Sequence, residues 1–251
     1  DDPWTPPEGW APVSASTIPN EAGAKDGVAL LTFFERVIIA FRDVDNDRQI
    51  RVYCAKDYGP VDANTVWVDQ NPDRIQGSHG KPTLVQFTSN AGATTVWLFY
   101  LMEHDGENYR IAHITAPTSF GSERVDWTKP RRLTASGHRQ SARFAPGAAC
   151  LGGKIYLFYR GSENAHVYWC VGTEDGNGSW RWERAPWKME QPKGGVTVKI
   201  LQPMTESGPA LTVHRDLKSV DPRNSRIYLL YGEKNAGVSG LAANALFESL
   251  G

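Results

Sequence analysis

The residues able to do chemistry are scattered, and none sits in a short signature that would announce a reaction. Arg42 and Arg160 each close an apolar run, 37–42 and 154–160, so the same cation recurs at the same point of two similar stretches. His104 and Tyr109 follow a third such run, His166 lies just past Arg160, and Trp187 stands between Pro186 and Lys188. An aromatic ring offers a flat apolar surface, a guanidinium offers paired donors, and imidazole offers one donor and one acceptor. Together these suit a hydroxyl-rich ring such as a sugar, whose C–H face stacks while its hydroxyls need bidentate partners. Trp187, Arg42, Arg160, His104, His166 and Tyr109 are therefore the expected ligand-binding residues, and no catalytic residue is assigned. Each also has a plain structural reading: ion pairs between repeats for the two arginines, solvated turns for the histidines, and a gap filler for Trp187.

Other chemistries fit poorly. Asp43, Asp45 and Asp47 match the first three ligand positions of a calcium loop. Arg48 stands where the turn glycine belongs, and Arg51 takes a later ligand position. No His or Cys pair has zinc-like spacing, no glycine-rich phosphate loop leads from a strand into a helix, and Gly-x-Ser-x-Gly is absent. No metal and no cofactor are expected.

The elements that must carry these residues repeat. Runs 37–42, 96–101, 154–160 and 227–232 are β-branched, aromatic and aliphatic throughout, as a strand buried on both faces requires. Before each comes a small-residue strand (28–31, 82–85, 148–151, 209–212), and after each a third strand (50–54, 109–113, 166–170, 241–247). A fourth strand carries Trp followed shortly by Pro: Trp67 with Pro72, Trp127 with Pro130, Trp182 with Pro186. The last repeat lacks this strand, and Trp10 with Pro12 stand ahead of the first. Four short strands repeated every 40–50 residues or so mark β-propeller blades. The expectation is an all-β, small β-propeller of four antiparallel four-stranded blades in one domain, 1–251. The blades fall near 26–72, 80–133, 144–187 and 207–251, the last completed by 8–18, which closes the ring and leaves no long open edge. A fifth blade would need strands within 187–206, where Pro192, Gly194, Gly195 and Pro203 favour a loop.

In such a fold the turns between second and third strands share a face with the inter-blade connections. The connections 68–81, 128–147 and 187–207 are long, and long connections in a compact domain are commonly binding loops. They carry His79, Lys81, His138, Arg139, Arg143, Phe144 and Trp187, so the ligand is placed on that face.

Composition narrows the partners. The 251 residues carry a net charge of −1, which gives no global field for nucleic acid, and no apolar run approaches the length of a membrane span. Three cysteines make no disulfide framework and read as buried small hydrophobes. The expected partner is a small molecule or glycan, and the expected state a monomer. The chain starts at Asp1, and 177–179 is a glycosylation sequon; both favour a secreted or secretory-pathway protein, with a soluble cytoplasmic one as the alternative.

One motif is more specific. Thr173, Asp175 and Trp180 resemble the Asp box of sialidase-type propellers, Ser/Thr-x-Asp-x-Gly-x-x-Trp, with Asn177 where that family has Gly. The resemblance implies a structural turn on the face away from the ligand, with Asp accepting backbone N–H groups and Trp turned inward. It does not extend to a sialidase site, because 41–44 lacks the Ile-Pro of that family's early strand. Small propellers of this kind are also similar to lectins, which implies a lectin-like, carbohydrate-recognising protein. The second-to-third-strand turns share almost nothing from repeat to repeat, which argues against equivalent sugar sites. That divergence suits the alternative, a cofactor-independent enzyme of cyclase or isomerase type, pericyclase-like, with one asymmetric axial pocket.

Overall fold

The computed structural model describes residues 24–43, 49–59, 61–62, 64–72, 75, 78–89, 91–105, 108–117, 124–175, 178–185, 208–214, 226–232 and 241–247. Among them every regular element is a β-strand, and neighbouring strands pair antiparallel. Sheet one runs in order through β1 (Ala24–Phe33), β2 (Arg36–Asp43), β3 (Ile50–Ala55) and β4 (Trp67–Asp69). Sheet two holds β5 (Ser78–Thr88), β6 (Thr94–Asp105) and β7 (Asn108–Ala116). Next come β8 (Arg131–Arg132), β9 (Thr134–Ala135), β10 (His138–Arg139) and β11 (Ser141–Ala142). Sheet three is β12 (Gly147–Leu151), β13 (Lys154–Arg160), β14 (Val167–Glu174) and β15 (Trp180–Ala185). Sheet four is β16 (Ala210–His214), β17 (Arg226–Gly232) and β18 (Leu241–Phe247).

The first three strands of each expected repeat fall where the apolar pattern puts them. The second repeat differs at its outer edge. Trp127 lies in an irregular stretch, where the Thr128 N–H bonds the Thr115 carbonyl, and the strand pairing with β7 comes after Pro130, as β8. Proline cannot donate to a ladder, so pairing resumes only past it. The connection 128–147, expected as a loop, instead folds into short strands. β9 and β10 form a hairpin through Ser136 and Gly137, and β11 returns to β7.

Alternate residues along each central strand enter different cores, as the two-residue period of a strand dictates. In β6, Val96, Leu98 and Tyr100 join Ile38 and Ala40 of β2 between sheets one and two. Trp97, Phe99 and Leu101 face the other way and meet Ile155, Leu157 and Tyr159 of β13. Tyr156 and Phe158 of β13 then meet Ile227 and Leu229 of β17. The second face of sheet one buries Ile39, Phe41, Tyr53 and Trp67. Each of β2, β6 and β13 is thus a wall shared by two cores, which is why it carries no polar alternation.

The first strands lie side by side, β5 between β1 and β12, and β12 between β5 and β16. Their backbones approach closely. A Cβ on Gly147 would stand 2.8 Å from the Pro209 carbonyl oxygen, and one on Gly208 would stand 2.8 Å from that of Ala145. The Thr83 hydroxyl donates to the Pro146 carbonyl across the neighbouring seam between β5 and β12. Farther out the sheets diverge, and large rings fill the gap. Between sheets two and three, Trp180 meets Trp97 edge-on at 4.4 Å and Phe87 at 4.6 Å, and Trp182 meets Phe99 at 5.9 Å.

Trp182 lies flat on its cross-strand partner Gly172, where an added Cβ would stand 2.8 Å from three ring atoms. The buried indole has nowhere to go, so Gly172→Ala is expected to cost about 1–3 kcal/mol, read as a lower urea midpoint. An unchanged midpoint would show that the ring can shift.

His113 is buried in the same ring cluster, 4.9 Å from Trp97. Burial first, and the Arg131 charge second, push its pKa from 6.5 down to about 4. Between those values the unfolded chain binds a proton that the folded one refuses, so stability falls as pH drops from about 6.5 to about 4. The urea midpoint is expected to fall more steeply over that window in wild type than in His113→Gln. Equal slopes would remove His113 as the cause.

Candidate functional site

The starts of the inner strands enclose a cavity of about 440 Å³, to which all four sheets contribute. Asp26 comes from β1, and His79, Gly80 and Lys81 from β5. Tyr109 comes from the start of β7, Arg143, Phe144 and Ala145 from the segment leading into β12, and Gly208 from just ahead of β16. Its size is that of a small-molecule site.

Two strand irregularities aim the side chains. The β1–β2 register shifts between Ala24 and Val28, and that of β5–β6 between His79 and Thr83. Each shift holds a glycine in the left-handed region, Gly27 at φ +99° and Gly80 at +73°, where a side chain would be strained. The bulges turn Asp26 and His79 out of the ladder alternation and into the cavity wall.

Behind the wall sit the two equivalent arginines. Arg42 is buried at the end of β2 and ion-paired with Asp26, and its neighbour Asp43 is held by Arg51 Nε at 2.7 Å. Arg160 is buried at the end of β13 with its guanidinium 5.2 Å from the Phe144 ring centroid. Its carbonyl accepts the Arg143 N–H at 3.3 Å. Both arginines therefore hold wall residues in place. The ion pair of Arg42 lies within its own sheet, β1 to β2, rather than between repeats as expected, and Arg160 supports an aromatic ring.

Of the expected site residues whose side chains are described, Arg42, Arg160, His166 and Tyr109, Tyr109 is the one on the cavity wall itself. Its ring stacks on that of His79 with centroids 4.0 Å apart and planes 8° apart. His166 is not on the wall. It closes the turn into β14, where its carbonyl accepts the Gly161 N–H and its own N–H bonds Asn164 Oδ1 at 3.1 Å. His104 falls near the end of β6, and only that placement is described. Trp187, the N-terminal segment 8–18 and the whole connection 187–207 lie outside the described residues, as do 44–48 of the acidic run. Among the described residues no cluster of His, Cys, Asp or Glu could hold a metal ion.

No protein-family model matches the chain, and no curated protein matches it. Solved structures do. An α-L-arabinanase from Penicillium chrysogenum, determined with arabinobiose, superposes with a TM-score of 0.51 at 13% identity, over 88% of this chain and 57% of that one. The arabinanase is a five-bladed β-propeller. The fold is a β-propeller. An exo-β-1,3-galactanase from Phanerochaete chrysosporium matches more loosely, with a TM-score of 0.45 at 12% identity over 86% of this chain and 45% of that one. The chain thus spans about half the length of the propeller enzymes it resembles.

In propeller terms the sheets are blades, the first strands line the axis, and the cavity opens where those strands begin. The opposite end carries the β14–β15 turn, in which Asp175 Oδ1 accepts the Ser179 N–H at 3.1 Å. Asp26 escaped the sequence reading, which looked to the turns after the second strands and to the inter-blade connections; the latter supply His79, Lys81, Arg143 and Phe144 of the wall. A signal was present: Gly27, Gly80, Gly147 and Gly208 recur just ahead of or within the start of each small-residue strand. A glycine repeated at that point marks backbones meeting at the axis, and the polar residues beside it reach the cavity.

Arg42→Met is expected to leave Asp26 without its partner. Because Asp26 is partly exposed the effect on stability should be modest, about 1 kcal/mol or less in urea unfolding. A loss of several kcal/mol would show that Arg42 does more for the fold than hold Asp26.

Proposed function

We propose that this chain is a carbohydrate-binding β-propeller that holds one saccharide residue in its axial cavity. The observation carrying the proposal is the composition of that wall: the stacked His79–Tyr109 rings and Phe144 stand beside Asp26, Lys81 and Arg143. A sugar needs this combination, ring surface for its C–H face and charged groups for its hydroxyls. The wall is asymmetric, since each blade contributes different side chains, so the cavity suits one ligand orientation. The likeness to a propeller enzyme solved with arabinobiose adds support of a general kind. A glycosidase sets two carboxylates across its cleft. Among the described residues Asp26 is the one carboxylate on the wall, which favours binding over hydrolysis.

The proposal includes one domain of four blades. Sheet four has three strands among the described residues, and the Trp10–Pro12 pattern matches the outer strands that contain Trp67 and Trp182. Residues 8–18 then supply the fourth strand and close the ring. Trp187 and His104 belong to the rim of the same face. A monomer on the secretory route fits the sequon at 177–179, whose Gly178 and Ser179 are exposed in the β14–β15 turn.

A glycan array probed with the purified chain, with Tyr109→Ala and with Trp187→Ala tests the site. Selective binding should weaken by about tenfold or more in Tyr109→Ala, a loss of about 1.4 kcal/mol. A blank array for the wild-type chain overturns the reading. Removing residues 1–18 should lower Tm by several degrees, about 2–4 °C for each kcal/mol lost in a domain of this size. An unchanged Tm refutes closure by that segment.

A further inference from the structure

We infer that the axial cavity selects a saccharide bearing an anionic group, a carboxylate or a sulfate, over its neutral counterpart. This rests on the proposed sugar-binding role of the same cavity. Three charged side chains other than histidine line it: Asp26, Lys81 and Arg143. The Asp26 carboxylate is committed to the buried Arg42 guanidinium and so does not neutralise the other two. Lys81 and Arg143 are exposed to solvent, and among the described residues neither makes an ion pair. Lys81 lies close by: its Cδ is 3.9 Å from where a Cβ on Gly27 would stand, so its stem passes the β1 bulge next to Asp26, yet its ammonium does not pair with that carboxylate.

The two cations come from different blades, Lys81 from β5 and Arg143 from the segment before β12, so they approach the cavity from separate parts of its wall. This local excess does not reflect the chain as a whole, whose net charge is −1. A concave wall concentrates the field of such charges on whatever enters. A guanidinium matches a carboxylate or sulfate through paired N–H donors, and a lysine adds a point charge that can follow the anion. The stacked His79–Tyr109 pair provides the flat surface against which the ring carrying that anion can lie. A neutral sugar would use the rings and leave both cations with water alone.

The test is a calorimetric or NMR titration of three probes that share one ring: methyl β-D-glucoside, methyl β-D-glucuronide and glucose 6-sulfate. The wild-type chain should bind the glucuronide or the sulfate at least about tenfold more tightly than the glucoside. Which anionic probe binds identifies the source of the charge. That preference should shrink when salt is raised from about 0.05 to about 0.5 M, because both cations face solvent. It should disappear in the double variant Lys81→Gln/Arg143→Gln, whose sites are exposed and should leave folding intact. Tyr109→Ala should weaken all three probes together. Binding of the glucoside as tight as that of both anionic probes, or a preference that survives in the double variant, overturns the anion selectivity and leaves the sugar site standing. Binding of none of the three overturns both.

Discussion

Everything in this fold follows from how closely the inner strands must approach. Where β1, β5, β12 and β16 lie side by side, backbone nearly touches backbone, as at Gly147 against Pro209 and Gly208 against Ala145. At those two glycines not even a methyl fits. Away from the axis the sheets spread apart, and the same geometry then demands bulk: Trp97, Trp180 and Trp182 fill the space between sheets two and three. The gradient from glycine and alanine to tryptophan along each repeat records that wedge. Apolar burial drives the association, but the shape of the wedge decides which residue goes where.

The cavity is a by-product of this crowding. Four strands cannot all begin at one point, so space is left where they start, and the bulges at Gly27 and Gly80 turn polar side chains into it. Arg42 and Arg160 occupy the same place in two blades, yet one holds a carboxylate and the other an aromatic ring. A repeated scaffold has thus been given unrepeated contents, and a single asymmetric site results.

Much of this was legible in the sequence because strands buried on both faces leave an unmistakable trace. Residues 96–101 and 154–160 admit no reading but a central strand, and their flanks place the neighbours. The outer edge of the second repeat was harder to read. Trp127 followed by Pro130 matches the pattern of Trp182 followed by Pro186, but in the second repeat the pairing strand begins past the proline, while Trp182 lies within its strand. The short strands of 131–142 pair over two residues each, too few for a periodicity to show. Asp26 was missed for another reason: a bulge reverses the facing of a residue, and no pattern of alternation predicts its own interruption. The support roles of Arg42 and Arg160 depend on side-chain contacts with Asp26 and Phe144 at the start of the same repeat, which an apolar pattern does not encode.

The two-sidedness of the central strands has a consequence for how such a chain can change. Neighbouring residues on β13 belong to separate interfaces: Ile155 and Leu157 to the one with sheet two, Tyr156 and Phe158 to the one with sheet four. One blade boundary can therefore be remodelled through every second residue while its neighbour is left untouched. A one-residue insertion in the same strand would exchange the contents of both boundaries at once. Substitution is local here and insertion is not, so the blades are free to diverge in side chains while their strand lengths stay locked together.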